Sequence, residues 1–341
     1  MTILIWLTFA LMIAIISIGI IAWKNNQNLS KKEFVKKIYW KIITLLIFFG
    51  ALYLYKNYNT QKKEVQNTDF TLGIIADCQY CDCDVKWNRY YRNSPQRLKE
   101  AVTELNKHNL EYTIHLGDFI DQHFESFDSI IPTWNQLKST SYHVLGNHDF
   151  DVADSLKSKV FDKLNLKKRY YSIDKDDWKF IIIDGNDLSF HGALTKEKQQ
   201  ETDSIFRKIE SDSLPYAKIW NGGISNQQFE WIEQELIAAE ENEQKVGFYC
   251  HFPLVPIAND NLWNTEELQE LIRQYKNVKV FMNGHNHDGA YVLKNKVHYI
   301  TFKGMVDTKD STSFSLAKFT NDSILIKGFG REKSRKLAVF N

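Results

Sequence analysis

The chain has 341 residues, of which 43% are hydrophobic and 14% aromatic, enough for one large folded domain or two ordinary ones. Its 43 lysines and arginines almost balance its 42 aspartates and glutamates, and the net charge is +1. Because a nucleic-acid-binding surface is usually strongly basic, this balance gives no support for a nucleic-acid partner. The sequence leaves the oligomeric state open.

Two apolar segments predict a membrane anchor over residues 1–58. Residues 3–23 carry no charge, and their length matches the ~20 residues that cross a hydrocarbon core. Residues 38–55 are interrupted by Lys41, whose side chain can reach the interface, and they end in aromatic residues. A second transmembrane helix is therefore predicted, with an interfacial or soluble helix as the alternative.

The charges next to these segments indicate which side of the membrane the rest of the chain would face. The link between them is rich in lysine, and the positive-inside rule then slightly favours the outer face for the large C-terminal part. Clustered free thiols favour a reducing compartment instead, so the side stays open. Residues 59–68 are polar and are predicted to be a linker, and the folded domain is predicted over residues 69–341.

Short runs rich in Val, Ile, Phe and Tyr predict buried strands in that domain. The runs are Phe70–Ala76, Tyr112–Leu116, Tyr142–Leu145, Val246–Tyr249 and Val278–Met282. Helix-start signals lie between them, at Ser94-Pro95, at Ser225 with Gln228 as a capping box, and at Thr265. Strands that alternate with helices predict a parallel sheet.

The last part of the domain shows a different pattern. From Tyr291 to Leu337 the apolar residues alternate, with a hairpin turn at Lys294-Asn295-Lys296, which predicts a second, more antiparallel sheet. The stretch Asp187–Gly223 is polar and interrupts the alternation, so an insertion near the site is predicted.

Polar segments that come after the predicted strands offer oxygen and imidazole ligands for two cations. Two divalent cations about 3.5 to 4 Å apart need a bridging anion, and Asp118 is the natural bridge. Asp77 and Gln79, with His287, would complete one metal site. Asn147, His251 and His285 would complete the other. This mixed set suits Mn²⁺, with Fe or Zn²⁺ as alternatives, better than an all-oxygen magnesium site.

Two residues next to Asn147 suggest a catalytic role. His148 is predicted to be the acid, or to bind a phosphoryl oxygen as charge develops, and Asp149 to orient its imidazole. The predicted nucleophile is a hydroxide between the two metals. The remaining histidines are predicted to be surface or core residues, although His115 or His123 could support the metal ligands: His108, His115, His123, His143, His191 and His298.

The four cysteines, Cys78, Cys81, Cys83 and Cys250, are not spaced like a disulfide framework. We expect reduced thiols that pack as small hydrophobic residues. A zinc site is the alternative, but the cluster near Cys78 lacks a second ligand pair at a suitable distance.

Tyr91 and Arg92 lie close in sequence to the first ligand segment. Tyrosine can stack on a base and arginine can clamp a diphosphate, so both are candidate substrate-binding residues. Equally, Tyr91 could be a core residue and Arg92 could pair with a surface carboxylate.

The ordered motifs carry a family resemblance from about Asp69 to the C-terminus. They include Asp77-Cys78-Gln79, Gly146-Asn147-His148-Asp149 and Gly284-His285-Asn286-His287. Together they resemble the calcineurin-like metallophosphoesterases, in which Gln79 here replaces the usual histidine of the first motif. With Tyr90-Tyr91-Arg92 and Lys327-Gly328-Phe329-Gly330-Arg331, they are most similar to manganese-dependent ADP-ribose/CDP-alcohol diphosphatases.

The resemblance implies an α/β (α+β sandwich) fold of four layers, with two mixed β-sheets flanked by helices. It also implies two divalent metal ions and hydrolysis of the phosphoanhydride in a nucleoside diphosphate conjugate. A membrane partner suggests a lipid-linked diphosphate as a further hypothesis. The alternatives are a cyclic-nucleotide or other phosphodiesterase, and a catalytically inactive nucleotide-binding regulator.

Overall fold

The computed structural model describes residues 69–340 and, before them, residues 17, 21, 36, 39–40, 42–44 and 46–55. The chain divides into two units, Met1–Asn67 and Thr68–Asn341. Most of the first predicted membrane helix, residues 3–23, lies outside the described residues. Within the described residues, no helix combines the length and apolarity that a bilayer crossing needs. The outward orientation stays a prediction.

The first sheet has six strands in the order β12-β11-β10-β1-β2-β3. Its strands are β1 (Phe70–Ile75), β2 (Tyr112–His115), β3 (Thr140–His143), β10 (Ser313–Phe319), β11 (Ser323–Gly330) and β12 (Arg335–Ala338). β1, β2 and β3 are parallel, whereas β10 pairs antiparallel with β1. The sheet is therefore mixed.

The second sheet is also mixed and has six strands in the order β4-β5-β6-β7-β9-β8. Its strands are β4 (Tyr171–Lys175), β5 (Trp178–Ile182), β6 (Lys245–Tyr249), β7 (Val278–Asn283), β8 (Ala290–Lys294) and β9 (Val297–Thr301). The four central strands β5, β6, β7 and β9 are parallel. β4 and β8 run antiparallel at the edges.

The described α-helices of this unit lie between strands in the sequence. They are α1 (Ser94–Leu105), α2 (Ser126–Trp134), α3 (Asp154–Lys157), α4 (Val160–Lys163), α5 (Lys196–Ser211), α6 (Asn226–Glu241) and α7 (Thr265–Gln274). One apolar core lies between the sheets. A second joins α1 and α2 to the first sheet, and a third joins α6 and α7 to the second sheet. The layers are stacked in the order helix, sheet, sheet, helix.

Local sequence signals account for the starts of α1 and α6, whereas Thr265 lies inside α7 and its hydroxyl donates to the Leu254 carbonyl. Pro95 lies in the first turn of α1, where the missing N–H leaves no hydrogen bond unmade. The Ser225 hydroxyl accepts a hydrogen bond from the Gln228 N–H at the start of α6. The predicted capping box is only half formed, because the Gln228 side chain bonds both backbone groups of Asp184 instead.

The predicted hairpin between β8 and β9 is present, and its turn residues Asn295 and Lys296 both have positive φ. The prediction of a separate antiparallel sheet was wrong. β8 and β9 extend the second sheet, and β10 to β12 extend the first. β10 pairs with the edge of β1 that would otherwise be open. This pairing satisfies the backbone hydrogen-bonding groups on that edge of β1.

The prediction of reduced thiols was wrong for two of the four cysteines. Cys81 and Cys83 form a disulfide, and their Cα atoms are 5.2 Å apart, within the usual disulfide range. Cys78 and Cys250 are free and buried, as expected of small hydrophobic residues.

Candidate dinuclear metal centre

Parallel strands bring the predicted ligand segments to one edge of the two sheets. Asp77 lies just after β1, Asp118 after β2, and Asn147 after β3. His251 and His285 lie after β6 and β7, the neighbouring strands of the second sheet. Because the carboxyl ends of parallel strands meet at one edge, segments far apart in sequence converge.

Tight backbone turns bring these side chains close together. Asp77, Gln79, Asp118 and His285 all have positive φ, a strained backbone conformation for residues other than glycine. Gly117 has φ 93°, and a Cβ at this position would lie 2.4 Å from His251 Nδ1. The turn after β2 therefore needs glycine.

The first half of the centre is formed by Asn147, His251, His285 and Asp118. His251 Nε2 lies 3.2 Å from Asp118 Oδ2 and 3.2 Å from Asn147 Oδ1. His285 Nδ1 lies 3.1 Å from the same Nε2 atom. Asp118, His251 and His285 offer ligand atoms that all lie within 4.8 Å of one another. The structure thus brings together the four residues predicted for this half.

The second half is formed by Asp77, Gln79 and His287. His287 Nε2 is 3.6 Å from Asp77 Oδ1, and Gln79 Nε2 donates to Asp118 Oδ2 over 3.0 Å. Asp77 Oδ2, Gln79 Oε1 and His287 Nε2 are buried without a hydrogen-bond partner. Since buried polar atoms are almost always paired, three unpaired acceptor-type atoms indicate a place for a cation. Asp118 contacts both halves, as a bridging ligand must.

The hydrogen bonds of the three histidines show which nitrogen each presents to the centre. His251 Nδ1 is 2.9 Å from the Leu116 carbonyl oxygen, and His287 Nδ1 is 2.9 Å from Asp307 Oδ1. His285 Nε2 is 3.0 Å from Asn221 Oδ1. Each of these oxygens accepts a hydrogen bond from a ring N–H, which leaves the opposite nitrogen of each neutral ring with a lone pair facing the centre. This is the arrangement that metal-binding histidines adopt.

The electrostatics of the metal-free centre indicate the same need for positive charge. Burial opposes a charge on His251, but Asp118 outweighs it and raises the pKa of His251 to about 9. Burial raises the pKa of Asp77. Burial also works against ionisation of Asp118, but His251 and His148 hold its pKa well below the usual value. In the metal-free protein a proton thus partly replaces the cation.

Asp149 does not orient His148, contrary to the prediction. It is fully buried and accepts hydrogen bonds from the backbone N–H groups of Gly146 at 2.9 Å and Phe119 at 2.8 Å. It therefore holds together the two loops that carry Asp118 and Asn147. Burial and the nearby Asp118 carboxylate raise the pKa of Asp149 to about 7.

His148 is oriented by Asp121. Its Nδ1 is 3.0 Å from the Asp121 carbonyl oxygen and 3.4 Å from Asp121 Oδ1. The other nitrogen, Nε2, is then the one that can contact a ligand. The sequence pattern did not indicate this partner because Asp121 lies 27 residues away in sequence.

A cavity of about 590 Å³ opens beside the centre. Its lining includes Asp118, Asn147, His148 and His285 together with residues that sequence reasoning did not select: Lys86, Trp87, Arg89, Trp220 and Asp260. Tyr91 lines it too, but the residue is buried, in an apolar cluster with Cys81 and Val306, and its role in substrate binding stays a prediction. Arg92 does not line the cavity, because it pairs with Asp82 at 2.5 Å and Asp84 at 2.7 Å on the surface. Asn221 and Trp220 come from the predicted insertion, Asp187–Gly223.

Comparisons with known proteins agree with this geometry. The calcineurin-like phosphoesterase family matches residues 70–289. A manganese-dependent ADP-ribose/CDP-alcohol diphosphatase of Xenopus laevis is 29% identical over 333 residues, which cover 81% of this chain and 92% of the relative. The human protein of the same name is 27% identical over 314 residues, covering 78% and 92%.

Solved structures show the same fold. A dimetal phosphatase from Danio rerio superposes with a TM-score of 0.72 at 26% identity, covering 80% of this chain and 99% of that one. A purple acid phosphatase from yellow lupin has a TM-score of 0.51 at 13% identity, covering 80% and 54%, and supports the fold alone. The chain therefore belongs to the calcineurin-like phosphoesterase family of metal-dependent hydrolases.

Proposed function

We propose that this protein uses two divalent metal ions, with Mn²⁺ preferred, to hydrolyse the phosphoanhydride of nucleoside diphosphate conjugates of the ADP-ribose or CDP-alcohol type. The names of the curated relatives support this substrate class. The observation that carries the proposal is the convergence of three histidine nitrogens and the shared carboxylate of Asp118 beside a cavity of about 590 Å³.

The residues of the centre fit two metal ions. Asp77, Gln79, Asp118 and His287 would hold one, and Asp118, Asn147, His251 and His285 would hold the other. When bound, the ions would lower the pKa of a coordinated water and neutralise charge on the phosphate. The three histidine rings are held in orientation before a metal arrives, by hydrogen bonds to Asn221, Asp307 and the Leu116 carbonyl.

His148 would act on the substrate phosphate. It lines the cavity, and its Nδ1 is held by Asp121, so its Nε2 can bind a phosphoryl oxygen or the leaving oxygen. In the reaction the oxygen of a water molecule bonds to one phosphorus and the bridging P–O bond breaks. The products are a nucleoside monophosphate and a second phosphorylated compound.

The cavity wall has groups suited to both parts of such a substrate. Trp87 and Trp220 offer indole faces on which a base or another planar group can stack. Arg89 and Lys86 bring positive charge to the same wall, where the two phosphates would lie. A cavity with both features suits a conjugate with two phosphates better than a simple phosphate ester.

A substrate panel tests the proposal. The full chain is incubated with Mn²⁺ and, separately, ADP-ribose, CDP-choline, a cyclic nucleotide and a simple phosphodiester. We expect release of AMP from ADP-ribose or of CMP from CDP-choline. His148→Ala should lower kcat by roughly 10²- to 10⁴-fold, the usual contribution of acid–base catalysis.

His108→Ala is the matched control, since His108 lies exposed in the turn after α1 and pairs with Glu104. Its activity should equal that of the unchanged chain. Hydrolysis of the cyclic nucleotide or the simple diester alone would contradict the proposed substrate class. No turnover with Mn²⁺, Fe²⁺ or Zn²⁺ would contradict the hydrolase itself.

A further inference from the structure

The Cys81–Cys83 disulfide lies against the catalytic cavity. Cys81 is fully buried, and Cys83 is half-buried and lines the cavity. Cys78 points elsewhere, since its Sγ contacts Met305 Sδ at 3.7 Å. Of the three clustered cysteines, only Cys81 and Cys83 therefore lie beside the cavity.

Asp121, from the loop after β2, lies next to the disulfide. Its Oδ2 atom is 3.8 Å from Cys81 Sγ, and only 8% of the residue is exposed. Its other carboxylate oxygen, Oδ1, is buried without a hydrogen-bond partner and faces His148, with His148 Nδ1 at 3.4 Å. The negative charge of this buried carboxylate is costly unless a cation or a proton balances it.

The three side chains have the spacing of a metal site. Their ligand atoms lie within 4.8 Å of one another. Around a tetrahedral Zn²⁺, with bonds of about 2.0 to 2.3 Å, neighbouring ligand atoms are roughly 3.4 to 3.8 Å apart. Once reduced, the two sulfur atoms need to separate by roughly 1 to 2 Å to reach this spacing. The sequence alone could not indicate Asp121, which is 40 residues from Cys81.

We propose that, once the disulfide is reduced, Cys81, Cys83 and Asp121 bind one thiophilic divalent cation such as Zn²⁺, at a site separate from the dinuclear centre. A dithiol reductant would transfer two electrons and two protons to the disulfide, giving two thiols and the oxidised reductant. The cation would then displace both thiol protons. The fourth coordination position would be open to water.

The location of this site links it to catalysis. Asp121 is also the residue whose carbonyl oxygen and Oδ1 lie near His148 Nδ1. A cation on the Asp121 carboxylate would reduce its negative charge beside His148 and would occupy part of the cavity wall at Cys83. Metal binding there should therefore lower activity in the reduced protein.

Ligand chemistry makes the new site distinguishable from the dinuclear centre. The predicted ligands of the dinuclear centre supply oxygen and nitrogen atoms only. Thiolate-to-Co²⁺ charge-transfer absorption can therefore come only from a cysteine site. This readout needs no substrate, so it does not depend on the proposed function.

Metal titration of the full chain tests the proposal. The oxidised protein and the protein reduced with a phosphine are each titrated with Co²⁺, and bound Zn²⁺ is counted after equilibrium dialysis. We expect the reduced form to bind one more Zn²⁺ per chain and to show a charge-transfer band that saturates at one Co²⁺ per chain. The oxidised form should show neither.

Variants assign the site. Cys81→Ser and, separately, Cys83→Ser should lose the band and the additional Zn²⁺, whereas Cys250→Ala should keep both. Asp121→Asn should weaken Zn²⁺ binding by about tenfold or more, since it removes a charged ligand. Equal Zn²⁺ counts in the two redox forms would overturn the proposal, and so would a band that persists in folded Cys81→Ser and Cys83→Ser proteins.

Discussion

The Nδ1 atom of His285 lies 3.1 Å from the Nε2 atom of His251, although each ring already uses its other nitrogen in a hydrogen bond to an oxygen. Two neutral rings in this arrangement would direct lone pairs at each other. A proton or a metal ion between them removes the conflict. Asp118 raises the pKa of His251, so this ring holds the proton in the metal-free chain, and the facing lone pair of His285 adds to the affinity for cations that we expect here.

Metal binding should release protons. The pKa of His251 is raised to about 9 in the metal-free chain, so this ring carries a proton at pH 7 that a metal must displace. We expect about one proton per chain to be released at pH 7, with Mn²⁺ affinity rising as the pH rises towards 9. Calorimetry in two buffers of different ionisation enthalpy measures the number. Identical heats in both buffers would contradict the prediction.

Asp307 should support one metal through His287. Asp307→Ala removes the acceptor of the His287 Nδ1 proton, and we expect Mn²⁺ affinity to fall by roughly 10- to 100-fold. Asp307→Asn keeps an oxygen acceptor without the charge and should have the smaller effect. Equilibrium dialysis with Mn²⁺ compares them. Unchanged affinity in Asp307→Ala would show that His287 needs no such partner.

Gly117→Ala should disrupt the centre. The new Cβ would lie 2.4 Å from His251 Nδ1 and would occupy a residue with φ 93°. We expect a loss of about 1 to 3 kcal/mol in the free energy of unfolding, together with weaker Mn²⁺ binding. Urea unfolding measures the first effect. Equal stabilities of Gly117→Ala and the unchanged chain would refute the steric argument.

Arg89 and Arg92 should differ in their effect on substrate binding. Arg89 lines the cavity, whereas Arg92 pairs with Asp82 and Asp84 outside it. Arg89→Ala should raise KM for a nucleoside diphosphate conjugate by roughly 10-fold or more, the loss of one hydrogen bond to a charged group. Arg92→Ala should leave KM unchanged. Steady-state kinetics on the two variants measures both KM values. A raised KM in Arg92→Ala, with an unchanged KM in Arg89→Ala, would identify Arg92 as the substrate-binding residue instead.

Buried His143 should make the fold sensitive to acid. Burial lowers its pKa from the ordinary value of 6.5 to about 3, so the unfolded chain binds the proton more readily. The free energy of unfolding is therefore highest above pH 6.5, where His143 is neutral in both states. It decreases as the pH falls below 6.5, because the unfolded chain then takes up the proton first. Between pH 7 and pH 5 this one group should remove about 2 kcal/mol from the free energy of unfolding.

Urea unfolding at pH 7 and pH 5, with a chelator present, measures this loss. His143→Phe is the test variant, because the ring is surrounded by Phe119, Trp134 and His115. Its stability should decrease less between the two pH values. His108→Ala, on the surface, should behave like the unchanged chain, and an equal decrease in His143→Phe would exclude His143 as the cause.

The ligand residues could be predicted from the sequence because each lies just after a short apolar run. Asp77, Asp118 and His251 come directly after strands whose residues are mostly buried, and parallel strands place such positions at one edge. The same reasoning failed for Asp149, since adjacency to His148 in sequence says nothing about which way a side chain points in a short 3-10 turn. It also failed to predict that β8 and β9 join the second sheet.

Local pattern by itself thus determined the strands that end at the site, the chemical types of its ligands and the family to which the chain belongs. The tertiary structure decided which partners act on those ligands. Asn221 reaches His285, Asp307 reaches His287, and Asp121 reaches both His148 and Cys81. The physical reason is that strand and helix periodicity is encoded over a few residues. Contacts between loops depend instead on how two sheets pack face to face, which no short stretch of sequence specifies.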